Sequence, residues 1–245
     1  MRLHSSCTRY QYVAHLRQPG IGRALMYGIE CEMEPRARIS QSQLLELLGP
    51  ERDDMFCKED GSLVNGVELV TIPLRLAEIR AIDWRGLFAP ILPYAMAGAR
   101  THRCGMHIHI NRAALTPLQL GRLLLTVNAP EMRDLMELIA QRPSSGFSRY
   151  IPKRWIHGRY PDDDDVGRYQ AVNVTQSTIE LRLFRGTIRH DRLLKNADAA
   201  DCLIHYGRET SARHTTDPEA FRRYVSDNAK RWPWLANFLS ENGAI

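Results

Sequence analysis

The sequence lacks any run of about 18 consecutive apolar residues, so no helix is expected to cross a bilayer. His4, Arg9 and His15 interrupt the first residues, which therefore lack the apolar core of a secretory signal. A cytoplasmic protein without a membrane partner is the expectation. It also lacks a C-x-x-C pair: its five cysteines, Cys7, Cys31, Cys57, Cys104 and Cys202, are odd in number and scattered. That argues against a disulfide framework or a cysteine zinc site and for reduced thiols. There is no Walker sequence, no glycine-rich dinucleotide loop and no internal repeat. Acid is absent from residues 1–25, where Arg2, Arg9, Arg17 and Arg23 and a weak hydrophobic pattern suggest a basic arm or variable first element. The rest, 26–245, reads as a single domain.

What is present suffices for a folded core, since 44% of the 245 residues are hydrophobic. A net charge of +5 favours an anionic ligand such as a nucleotide, without demanding nucleic acid. In "YGIECEME", Glu30, Glu32 and Glu34 alternate with Ile29, Cys31 and Met33. On a strand, residues two apart share a face about 6 to 7 Å from one another, so one face is all acid. Two carboxylates about 6 Å apart repel by roughly 3 kcal/mol at an effective dielectric near 20, unless water screens them or a cation joins them. A solvated face and a cation site are both open at this point.

Three further strands carry the same pattern. "GVELVTI" sets Glu68 among apolar residues, where an unpartnered carboxylate is costly. "CGMHIHINR" alternates His107 and His109 with Ile108 and Ile110, and "TIELRLF" alternates Glu180 and Arg182 with Ile179, Leu181 and Leu183. Between them, helices are predicted for "SQSQLLELLG", capped by Ser40 or Ser42 and stopped by Gly49, and from Pro73 through "LRLAEIRAI". More are expected after Thr116-Pro117, over "EMRDLMELIA", from about Asp191 to Glu209, after Asp217-Pro218 and over "WPWLANFLS". The span 141–167 reads as a long loop, with Arg149, Arg154 and Arg159 suited to a carboxylate and Asp162 to Asp165 to an ammonium group. The expected class is α+β with a mostly antiparallel sheet. Clustered glutamates, a histidine and Arg182 suit Mg²⁺, or with more histidine character Mn²⁺, together with a phosphoryl group.

In that order, "GIECEME", "EDGSLVNGVELVTIPL", "CGMHIHIN" and "YQAVNV" with "STIELRLFRGT" resemble the amidoligases of the glutamine synthetase and glutamate-cysteine ligase superfamily. The resemblance runs from about residue 27 to about residue 205. It implies a curved half-barrel sheet backed by helices, with ATP and Mg²⁺ or Mn²⁺ on the concave face. It implies an ATP-dependent carboxylate-amine ligase that phosphorylates a small-molecule or peptide carboxylate and lets an amine displace phosphate to form the amide. By residue, it implies metal ligands at Glu30, Glu32, Glu68, His107 and Glu180, and a phosphate contact at Arg182. His109 would lie near the nucleotide and Arg168 near phosphate or substrate. Glu34 has no family role and is expected to be solvated at the strand end, before Pro35. The chain departs from glutamine synthetase in showing no separate N-terminal domain to complete a neighbour's site. Two other classes compete: a metal-dependent oxygenase or isomerase on a cupin-like barrel, and a non-catalytic protein binding an anionic partner through its basic arm.

Overall fold

Alternation of aliphatic and acidic residues gives the strand at the centre of the structure, β2 (Tyr27–Pro35). The computed structural model describes residue 1 and residues 3–4, 24–36, 38–98, 101, 103–146, 148–151 and 169–245. Most of the basic arm, Arg168, and the loop residues Arg154, Arg159 and Asp162 to Asp165 lie outside them. The chain is α+β: among the described residues there are eight strands, mostly antiparallel and not closed into a barrel, backed by helices. It divides into two compact units, Met1–Asn111 with Arg185–Leu193, and Arg112–Phe184 with Leu194–Ile245.

In the first unit β2 is flanked by β4 (Val67–Thr71) and β6 (Gly105–Asn111), both antiparallel to it. Beyond β4 come β3 (Met55–Lys58), antiparallel, and then β1 (Leu3–His4), parallel. The short β5 (Ala95–Met96) pairs with the far end of β2. The register puts Ile29, Cys31, Met33, Cys57, Leu69, Met106, Ile108 and Ile110 on one face, all fully buried. The β3 strand, in a stretch without a strong sequence signal, is held by its pairing with β4 rather than by its own four residues.

The helix α1 (Gln41–Leu47) begins at a capping box on Ser40 and Gln43, and Gly49 follows its end at φ +85°, a conformation glycine adopts without a Cβ penalty. Its buried Leu44 and Leu45 supply the apolar side. The predicted helix from Pro73 instead starts three residues later as α2 (Leu76–Ala81), because Leu74 is still paired with Tyr27 through two backbone hydrogen bonds of 2.7 and 2.8 Å. α3 (Trp84–Phe88) follows, capped by Asp83. Gly186 permits a close backbone approach: a Cβ there would lie 2.7 Å from the Cys104 carbonyl oxygen.

The second unit is mainly helical. α4 (Pro117–Asn128) carries the predicted Thr116 cap, with Thr116 and Gln119 forming a capping box. α5 (Arg133–Ala140) follows a single 3₁₀ turn, and α7 (Pro218–Asp227) is capped by Asp217, whose carboxylate accepts from the Glu219 and Ala220 amides. α6 (His190–Glu209), which belongs to this unit from Leu194 onward, and α8 (Pro233–Glu241) complete the set, and Leu123, Leu135, Ile139, Leu203, Phe221, Leu235 and Leu239 form its core. β7 (Val172–Val174) and β8 (Thr178–Arg185) make the expected hairpin around Gln176 and Ser177. None of the described helices is long and apolar enough to cross a membrane.

Candidate metal centre

The polar face of the first unit is assembled by strand register. Glu32 of β2 stands directly opposite Glu68 of β4, and Glu68 directly opposite Lys58 of β3. One row of the sheet thus reads Lys58, Glu68, Glu32. In the neighbouring row Glu30 stands opposite His107 of β6, and Gly28, with no side chain to obstruct it, stands opposite His109. This face is not open to water: Glu68 is 1% exposed, Glu32 5% and His107 6%.

Single atoms of Glu32, Glu68 and His107 lie within 4.8 Å of one another, a separation that one cation could bridge. Around them, His107 Nδ1 is 3.4 Å from Glu30 Oε2, while its Nε2 is 3.9 Å from Glu32 Oε1. His109 Nε2 is 3.1 Å from the same Glu30 oxygen. The Gly105 amide donates to Glu32 Oε2. The Lys58 ammonium lies 3.1 Å from Glu30 Oε1 and 2.7 Å from Glu68 Oε2. That last contact is close enough for an ion pair but not aligned as a hydrogen bond, so the buried Glu68 oxygen has no well-directed donor among the described residues.

These contacts split the acids. Burial works against the charge on Glu30, but His109, His107 and Lys58 outweigh it and hold its pKa well below the usual carboxylate range. For Glu68, burial and the neighbouring Glu30 charge push the pKa well above that range in spite of Lys58. Burial also opposes the Lys58 charge, yet Glu30 and Glu68 hold its ammonium above the ordinary lysine value. Among the described residues, Glu30 and Glu68 thus share the Lys58 ammonium, and it is Glu68 whose charge the surroundings oppose.

Glu34 corrects the expectation of a solvated strand end. It is 1% exposed, and its carboxylate accepts from Arg103 Nε at 2.8 Å, Arg103 Nη2 at 3.0 Å and the Val64 amide at 2.8 Å. Pairing of β2 with β5 at Glu34 and Pro35 extends the strand past the point where Pro35 was expected to end it. Glu34 therefore belongs to a separate ion pair, which leaves Glu30 and Glu32 as the two acids of β2 on the clustered face.

Glu180 and Arg182 belong to the second unit. They lie on the same face of β8, paired with each other, and Asn173 Nδ2 donates to Glu180 Oε2 at 2.8 Å. Arg149 enters a bridge with Gln170, its backbone bonded on both sides to the 169–171 segment. Lys58 is the site residue that sequence reading passed over. Its strand, "MFCK", is only four residues long with three apolar residues in a row, too short and too little alternating to register as a strand by pattern alone.

Compared with models of known protein families and with characterised proteins, the chain gives no match.

Proposed function

We propose that the first unit carries a divalent-cation site serving an ATP-dependent carboxylate-amine ligase with a half-barrel sheet of the glutamine synthetase type. The observation that carries this reading is the convergence of buried Glu32, Glu68 and His107 donor atoms within 4.8 Å. The order of the four sequence motifs supports it independently. Two carboxylates and an imidazole form a donor set that suits Mn²⁺ or, with fewer histidine contacts, Mg²⁺. The buried Glu68 oxygen without an aligned donor fits such an ion.

Glu32, Glu68 and His107 would hold the ion. Bound there, it would neutralise the carboxylates and attract phosphate oxygens of ATP to this face. His107 is prepared for ligation by its Nδ1 contact with Glu30, which turns Nε2 toward Glu32, the arrangement in which a carboxylate fixes the tautomer and orientation of a ligating histidine. The Gly105 amide fixes Glu32 in the same manner. Glu30, held anionic by both histidines and Lys58, keeps the imidazoles on the strand face and adds negative charge beside the ion. Acting as a ligase, the protein would transfer the terminal phosphoryl group of ATP to a substrate carboxylate. An amine would then attack the acyl carbon and expel phosphate.

Calorimetric titration of ATP with and without Mg²⁺ tests the reading. Magnesium-dependent binding that weakens at least tenfold in Glu32→Gln is expected, and ATP binding indifferent to Mg²⁺ and to Glu32 would overturn it. Among the described residues the strands do not close into the barrel that the cupin-like alternative requires.

A further inference from the structure

The acidic face contains its own cation. Lys58 Nζ lies between Glu30 Oε1, at 3.1 Å, and Glu68 Oε2, at 2.7 Å, and Glu68 also offers an atom to the cluster with Glu32 and His107. One carboxylate is therefore shared between an ammonium and the place a metal would take. The residue type is informative. The chain has 33 basic residues, only four of them lysine: Lys58, Lys153, Lys195 and Lys230. A guanidinium at this position would lock a carboxylate in a planar two-point contact, whereas an ammonium is a compact point charge on a flexible stem that can withdraw from it. A chain that uses arginine almost everywhere has lysine at the one position where an exchangeable partner for Glu68 is wanted.

We propose that Lys58 is a resident counter-cation: its ammonium holds Glu68 and Glu30 in the metal-free protein and gives up Glu68 when a divalent ion binds. This rests on the metal reading above and adds to it a competitor built into the site. Lys58 thereby acts as a positioning residue that sets metal affinity. With its side chain 22% exposed, it has a route toward water when displaced. The carboxylates stay separated and ordered without metal, and any ion must be strong enough to compete with a tethered charge. Weakly attracting monovalent ions are thereby disfavoured.

The test is Mn²⁺ titration of the full-length protein, read by calorimetry, for wild type, Lys58→Met and Lys58→Arg, with melting temperatures measured in chelator and in saturating Mn²⁺. Lys58→Met is expected to bind Mn²⁺ at least tenfold more tightly than wild type, and to melt lower than wild type in chelator but not in Mn²⁺. Lys58→Arg keeps the charge and is expected to bind no tighter than wild type. A merely structural lysine would leave Mn²⁺ affinity unchanged or reduced in Lys58→Met, and that result overturns the proposal while the metal site stands. No Mn²⁺ binding by any of the three proteins would overturn the metal reading itself. Should Lys58→Met fail to fold, amine labelling of wild type decides: with only four lysines, mass spectrometry isolates Lys58, whose labelling must rise at least severalfold on adding Mn²⁺. Labelling indifferent to Mn²⁺ overturns the exchange.

Discussion

Replacing Glu34 by alanine should unfold the protein more easily by about 2 kcal/mol, although a strand-end glutamate before a proline looks dispensable in sequence. Its carboxylate is buried and accepts hydrogen bonds from the Val64 amide and from two Arg103 nitrogens. Leaving the Val64 amide without its partner costs on the order of 1 to 3 kcal/mol, and the half-exposed Arg103 regains water and adds little. Arg103→Ala, which leaves the buried Glu34 carboxylate without its charged partner, should cost at least as much as Glu34→Ala. The pH dependence supplies a second check. Arg103 and the Val64 amide overcome the opposing effect of burial and hold the Glu34 pKa below the usual carboxylate value. A lowered pKa in the folded state means the unfolded state binds more protons as pH falls. The stabilisation is then complete above the ordinary glutamate value, about 4.3, and disappears as pH falls through the folded value. The difference in denaturant midpoint between wild type and Glu34→Ala should accordingly be constant at neutral pH and shrink in acid. A loss below about 0.5 kcal/mol at pH 7, the range of ordinary surface substitutions, would refute this account and restore the solvated strand end.

Three other expectations concern packing and local order. Gly186→Ala should lower stability by about 2 kcal/mol in a thermal melt, since a Cβ there meets the Cys104 carbonyl, a backbone atom that cannot swing aside. Thr116→Ala, which removes the capping box of α4, should cost about 1 kcal/mol by denaturant titration, and Thr116→Ser should recover most of it. Cys31, Cys57, Cys104 and Cys202 are buried free thiols, and burial pushes Cys57 up to about 12 and the others up as well. A thiol reagent at neutral pH should thus leave these four unlabelled in the native protein, with all four reacting on unfolding.

Much of the fold was legible because it depends on local chemistry. Capping residues located the starts of α4 and α7 and narrowed that of α1 to Ser40 or Ser42, of which Ser40 is the cap, and strict alternation revealed β2, β6 and β8. The errors arose where a distant partner decides the outcome. Leu74 stays extended because Tyr27 pairs with it, so α2 starts later than Pro73 suggests. β3 exists through β4. Glu34 is buried by Arg103, 69 positions away, and by Val64. At the candidate centre the residue types were readable, and so was the sharing of a face by residues two apart. Which acid stands opposite which base was not, since it depends on the offset between strands. That offset brings Lys58 to Glu68 and Glu30 to His107. Arg168 lies outside the described residues, and Glu180 and Arg182 are described by their pairing with each other.

The alternation of β2 also governs how the sheet assembles. One of its faces is lined with the buried Ile29, Cys31 and Met33 and the other with the buried Glu32 and Glu34 and the less buried Glu30. A slip by one residue against β4 or β6 would exchange the two sets, forcing three carboxylates into the aliphatic layer and setting a methionine and an isoleucine among histidines and lysine. No such misalignment could be tolerated. The charges that would gather a cation thus also act as a ruler for strand pairing during folding, and a variant in which all three glutamates become leucine would lose its sense of which alignment is correct before it lost the capacity to form a sheet.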